Sequence, residues 1–131
     1  MATWRILIAD DKPLVRAGIR LLLEQHADWS VCGEAADGVE AVEQAVALKP
    51  DVILLDLSMP RLDGLSALPL IRQKAPSTAV VIVTLHQSLE VAKIAAGGGA
   101  AAYITKSLLT DDLVPALENI QSAEKRLPED D

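Results

Sequence analysis

Four short apolar runs in this chain end in residues that can handle a phosphoryl group: Asp10-Asp11, Asp56, Thr84 and Lys106. Asp56 closes the run Val52-Ile53-Leu54-Leu55 and is followed by Leu57-Ser58-Met59-Pro60. A carboxylate at the C-terminal end of a buried strand lies where open α/β sheets place their ligands. Brought together, these residues supply three carboxylates, a hydroxyl and an ammonium, a set suited to a magnesium-assisted phosphoryl acceptor. A hard divalent cation takes oxygen ligands and keeps several waters, so one or two carboxylates usually suffice. At about 4 Å and an effective dielectric of 20, each like-charge pair costs roughly 4 kcal/mol, so convergence calls for a cation or for Lys106 nearby. Asp56 could then act as a carboxylate nucleophile and form an acyl phosphate. Thr84 and Lys106 would hold the phosphoryl oxygens, the lysine as a point charge. No general base is needed, because an aspartate is ionised at neutral pH.

The elements that must position these groups follow from the apolar pattern. Strand candidates are 5–9, 30–34, 52–55, 79–83 and 101–104, and helix candidates are 13–25, 38–48, 64–74, 88–96 and 111–123. Leu14, Ile19, Leu22 and Leu23 can supply a core-facing stripe on the first helix, and Val39, Val42 and Val46 recur at helical spacing on the second. Three strands are near-continuously apolar, as expected when helices cover both faces of a parallel sheet. Five β-then-α units with right-handed crossovers give an α/β, doubly wound, five-stranded parallel sheet. Pro69 should kink or shorten the third helix, and Pro115 is tolerable in the last only if that helix starts late. Gly97-Gly98-Gly99 ends the fourth helix and weakens it against the unfolded chain.

Composition bounds the function. The chain has 131 residues, half of them apolar, enough for one domain with a real core. Its formal charge of −7 argues against this domain gripping nucleic acid itself. The single cysteine, Cys32, excludes an internal disulfide framework and fits a reducing cytosol. There is no signal-peptide pattern and no run near the roughly 18 apolar residues of a membrane span, so a cytoplasmic protein away from the membrane is expected.

At the site residues the sequence resembles the receiver domain of two-component response regulators. The matching pieces are Asp10-Asp11, Asp56-Leu57-Ser58-Met59-Pro60 with Asp63-Gly64, Thr84, and Tyr103-Ile104-Thr105-Lys106, in family-like order over about residues 4–122. Asp37-Gly38 and Pro13-Leu14-Val15-Arg16-Ala17-Gly18 resemble the subclass with a LuxR-type helix-turn-helix output domain. The resemblance implies a flavodoxin-like sheet of order 2-1-3-4-5, with a receiver over 1–123 and residues 124–131 as a tail or the start of a linker. It implies that Asp56 is the phosphoacceptor and Asp11 a direct Mg2+ ligand, with Asp10 acting mainly through water and the Ser58 backbone carbonyl completing the set. It makes Thr84 and Lys106 the pair that moves inward on phosphorylation, with Tyr103 swinging alongside on a face that contains Gly97–Gly99. It implies a sensor histidine kinase or a small acyl phosphate as donor, self-catalysed phosphorylation and dephosphorylation rather than a metabolic activity, and a homodimer promoted by phosphorylation through the first and fifth helices. DNA would be reached only through an output domain not in this chain, which reads as either a stand-alone receiver or a truncated DNA-binding regulator, the subclass resemblance favouring the second. Leu85, Ser107, Gly97 and Gly98 depart from the family's usual residues.

Blander roles stand beside these. Asp10-Asp11, Asp56 and Thr84 could be helix caps, and Lys106 a solvated lysine. Tyr103 reads as packing as well as switching, His86 as a loop residue, and His26 as a cation at the end of the first helix. Trp4, Trp29 and Cys32 read as structural. Two other activities compete. A phosphatase with an aspartyl-phosphate intermediate commonly needs a second aspartate where this chain has Ser58, and a flavin-binding flavodoxin needs stacking aromatics that a single Tyr and two Trp hardly provide. A receiver serving only as an interaction module is the third alternative, against which the intact site residues argue.

Overall fold

The structure, a computed structural model, describes residues 3–85 and 88–126; His86 and residues 127–131 lie outside them. Five strands, β1 (Trp4–Ala9), β2 (Trp29–Ala35), β3 (Val52–Asp56), β4 (Ala79–Thr84) and β5 (Ala102–Thr105), alternate with helices α1 (Pro13–Glu24), α2 (Gly38–Leu48), α3 (Gly64–Lys74), α4 (Leu89–Gly97) and α5 (Leu109–Arg126). A single 3-10 turn, Lys106–Leu108, joins β5 to α5. The strands are parallel in the order β2-β1-β3-β4-β5. The expected doubly wound flavodoxin-like sheet is therefore the fold.

Strand alternation divides the apolar runs between two cores. Ile6, Ile8, Val52, Leu54, Val81 and Val83 face α1 and α5, where Ile19, Leu23, Leu113 and Leu117 complete the packing. Leu7, Ile53, Leu55, Val80 and Ile82 face α2, α3 and α4, packing on Ala41, Ala45, Ala67, Leu68, Ile71 and Ala95. Fully burying one such leucine, isoleucine or valine side chain stabilises by about 1.5–3 kcal/mol. Because both faces are covered, neighbouring positions on β3 are equally buried, and its sequence shows no polar alternation.

Several expectations need correction. Leu14 is 88% exposed and does not face the core. At 100° per residue it lies about 140° around the helix from Ile19, and Val15 packs in its place. On α2 the core face is Gly38, Ala41 and Ala45, whereas Val46 is exposed. Small residues let α2 approach both the sheet and α3, and the valines flank that contact. Pro69 does not shorten α3, which runs its full expected length around it, and Pro115 lies inside α5. Helix α5 begins at Leu109, well before Pro115, so it does not start late. Pro115 is exposed, as is Asp111, so the carbonyl that loses its amide partner lies where water can serve it.

Helix ends carry local signals. Asp37 caps α2 by accepting the Glu40 N–H at 2.8 Å, Asp63 caps α3 through the Ser66 N–H at 2.8 Å, and Ser88 caps α4 through the Val91 N–H at 3.2 Å. The end of α4 is closed by bonds from the Gly98, Gly99 and Ala100 N–H groups to the carbonyls of Ile94, Ala96 and Ala95. Gly99 takes φ +100° there.

Candidate functional site

The strand order reverses between β1 and β3, and ligands of open α/β sheets bind at that crevice, beyond the carboxyl ends of the strands. Asp10 and Asp11 follow β1 on one side of it, and Asp56 ends β3 on the other. One oxygen from each of the three lies within 4.8 Å of the others. Thr84 ends β4, one position beyond the pairing of Asp56 with Val83, and is fully buried. Lys106 follows β5 and sends its ammonium back across the strand ends.

Lys106 is the counter-charge. Its Nζ lies 2.7 Å from Asp10 Oδ2 and 3.4 Å from Asp56 Oδ1, with only 7% of the side chain exposed. The shorter contact is an ion pair without the alignment of a hydrogen bond. Asp56 Oδ1 also accepts the Ser58 N–H at a long 3.4 Å. Asp56 Oδ2 is buried with no hydrogen-bond partner among the described residues. Burial first, and the charge of Asp10 second, push the Asp56 carboxyl above its usual range, against the opposing pull of Lys106 and the Ser58 N–H. A buried acceptor left without a donor is costly, and a cation or an electrophile at this oxygen would offset that cost.

The acidic turn after β1 is itself braced. Asp10 Oδ1 accepts the Lys12 N–H at 2.9 Å, and the Asp10 N–H donates to the Ala35 carbonyl at 3.0 Å. Arg16 donates from Nη1 to the Asp10 carbonyl at 2.6 Å and from Nε to Glu34 at 2.8 Å. Arg20 shares Glu34 at 2.6 Å. Both arginines hold the Glu34 carboxyl below its usual range, Arg20 more than Arg16. Sequence reasoning gave Arg16 no role at the site: Glu34 lies 18 residues away on another strand, and the Asp10 carbonyl, six residues back, is a backbone group that no side-chain pattern marks.

The remaining candidates are also placed. Ser58 is exposed in the segment leading from β3 to α3. Tyr103 is half-buried on β5, packed against the α2–α4 side of the sheet, and borders a groove of about 490 Å³ with Leu89, Ala92, Leu108 and Asp112. Leu85 is 65% exposed and, with Lys106, lines a second groove of about 520 Å³ between α1 and α5. His26 stacks on Trp29 at 3.8 Å and sits 3.5 Å from Glu118 of α5. Trp4 and Trp29 donate to Glu124 and Gln121 of α5, each at 3.0 Å, so these tryptophans dock the last helix.

Comparison with known proteins agrees with this fold. The family model described as the response regulator receiver domain matches residues 6–118. The nitrate/nitrite response regulator protein NarL of Escherichia coli is 37% identical over 124 residues, which are 95% of this chain and 57% of that protein. The transcriptional regulatory protein YxjL of Bacillus subtilis is 39% identical over 86% of this chain and 52% of its own length. The chain thus spans about half the length of these curated relatives. A LuxR-family two-component response regulator from Aurantimonas superposes with a TM-score of 0.88 at 38% identity, over 93% of this chain and 87% of that one. The response regulator domain of Thermotoga maritima CheB gives 0.82 at 38% identity, over 92% and 96%. The chain belongs to the receiver domains of two-component response regulators, of the LuxR type.

Proposed function

We propose that Asp56 is the phosphoacceptor of a Mg2+-dependent signalling switch served by a sensor histidine kinase. The observation that carries this reading is the convergence of Asp10, Asp11, Asp56 and Lys106 at the sheet's switch point, with one Asp56 oxygen buried and unpartnered. The all-oxygen donor set and that orphaned oxygen fit a hard divalent cation. Asp11, Asp56 and the Ser58 carbonyl would hold Mg2+ directly, and Asp10 mainly through water. When bound, the ion would neutralise charge shared by the carboxylates and the phosphoryl oxygens.

Asp56 would attack the phosphorus of a phosphohistidine with one carboxylate oxygen, forming the acyl–phosphate bond as the P–N bond breaks and the imidazole departs. Its raised proton affinity makes the carboxylate a better nucleophile than an exposed aspartate, while Lys106 pulls in the opposite direction, toward the anion. Thr84 and Lys106 would take up phosphoryl oxygens as they move inward. The added charge of about −1.5 to −2 supplies the bias, and Tyr103 would follow within its groove. The same site would later hydrolyse the acyl phosphate, so the chain acts as a phosphoacceptor rather than a metabolic enzyme.

Phosphorylation would favour a homodimer through α1 and α5, where Leu14 and Leu21 stand 88% and 66% exposed beside the second groove. With a relative about twice as long and named a transcriptional regulatory protein, the receiver would reach past residue 123 to the end of α5 at Arg126, and the residues after it would lead toward a DNA-binding output domain. No helix among the described residues is long and apolar enough to cross a membrane, in keeping with a cytoplasmic role. Incubation with magnesium and acetyl phosphate, followed by intact-mass measurement, tests the reading. Wild type should gain one phosphoryl group and Asp56→Asn none; equal gain by both would move the acceptor elsewhere.

A further inference from the structure

The segment joining β3 to α3 carries Ser58, and a charged fork on the same segment reaches the neighbouring turn. Arg61 reaches to the turn before α2 and donates from Nε to Asp37 Oδ2 at 3.0 Å and from Nη2 to Asp37 Oδ1 at 3.2 Å. Such paired donation fixes direction as well as distance. Asp37 is a firm base for it. The Glu40 N–H, first, and Arg61, second, hold its carboxyl below the usual range, and Glu40 Oε1 in turn accepts the Ala36 N–H at 2.9 Å.

Backbone contacts join the same two segments. The Leu62 carbonyl lies so close to Gly38 that a Cβ there would stand 1.8 Å from its oxygen. Arg61 itself adopts φ +66°, a conformation that non-glycine residues keep only where their surroundings over-determine it. At its far end the segment is closed by Gly64, whose N–H donates to the Leu57 carbonyl at 3.0 Å. The strand leading into the Asp37 turn also bonds the acidic turn, through Ala35 and the Asp10 N–H. One turn therefore references both segments that carry the site's oxygens.

We propose that Arg61 is a positioning residue, whose fork on Asp37 fixes residues 57–63 and thereby sets the Ser58 backbone against Asp56. Its consequence for magnesium rests on the functional reading above; its consequence for the segment does not. Three variants separate the contributions. Arg61→Gly accepts the same backbone conformation without strain but lacks the fork. Asp37→Asn keeps an acceptor for the Glu40 N–H but loses the charge. Arg61→Lys keeps the charge and loses the planar fork.

The test is NMR on the labelled full chain, reading amide exchange at Gly64 and the Ser58 amide shift without metal, followed by titration with MgCl2. Arg61→Gly and Asp37→Asn should each speed Gly64 exchange and shift Ser58, while the Ile6 and Leu54 amides in the sheet keep their rates. The double variant should add nothing further, and Arg61→Lys should recover only part. The magnesium dissociation constant should rise about tenfold in both single variants, as for other residues that orient metal ligands. Wild-type exchange and shift in both single variants, or additive effects in the double, would overturn the proposal. A wild type that binds no magnesium would instead refute the functional reading, while exchange at Gly64 still decides the role of Arg61.

Discussion

At the scale of single residues, the site is a balance of like charges around one ammonium. Asp56 is driven toward its neutral form by burial and by Asp10, and Lys106 only partly offsets this. The folded protein therefore holds the Asp56 proton more tightly than the unfolded chain does. As pH rises from the ordinary carboxylate pKa of about 4 through the raised folded value, this group costs stability, and the full cost remains above that value. Without magnesium, Asp56→Asn should have a higher urea midpoint than wild type at pH 7, with the gap closing as pH falls toward about 4. A wild type more stable than the variant at pH 7 would mean that Lys106 outweighs burial. Magnesium at a hundredfold excess over its dissociation constant should stabilise the wild type by about 2.7 kcal/mol, and the variant by less. The types and order of these residues were legible in the sequence. The orphaned Asp56 oxygen was not, because it depends on which donors arrive from other strands.

At the scale of elements, α4 is held by its end more than by its length. Gly97 is the last helical residue, and a Cβ there would meet nothing within 4 Å. Gly97→Ala should therefore raise unfolding stability by about 0.5–1 kcal/mol in urea titration, chiefly by restricting the unfolded chain. Gly99→Ala should lower stability, since its φ is +100° and a Cβ would lie 2.9 Å from Arg72 Nε. If α4 is part of the switch, Gly97→Ala also alters how readily that face responds. The existence and order of every strand and α-helix were legible from apolar runs and breakers, while the 3-10 turn at Lys106–Leu108 was not. The buried faces of α1 and α2 were read less well. Leu14 projects away from the sheet, and alanines rather than valines line α2, because the packing distance selects the residue.

At the scale of the whole molecule, the sheet's two ends do different work. At the amino-terminal end of the strands, Trp4 and Trp29 lie 5.7 Å apart and bind the far half of α5. At the carboxyl end, α1 and the start of α5 leave an apolar groove beside Lys106 and Leu85. That face would be buried in the phosphorylated homodimer. Leu21→Glu should gain one phosphoryl group as wild type does, yet sediment as a monomer where phosphorylated wild type sediments as a dimer. Dimerisation of the phosphorylated variant at wild-type concentrations would place the interface on another face.

What the sequence alone determined is the fold class, the order of its elements and the identity of the groups at the strand ends. Apolar periodicity, helix caps and strand-end residues are local properties, and each strand delivers its terminal residue to the same edge once the sheet is parallel. Only the tertiary structure decided which of these groups touch. It brought Lys106 between Asp10 and Asp56, braced the acidic turn with Arg16, and forked Arg61 onto Asp37. Apart from the Arg16 bond to the Asp10 carbonyl, which spans six residues, those pairs join well-separated segments of the chain, so no spacing encodes them. They exist because the parallel sheet, with β1 set beside β3, turns four separate strand-end loops toward one edge.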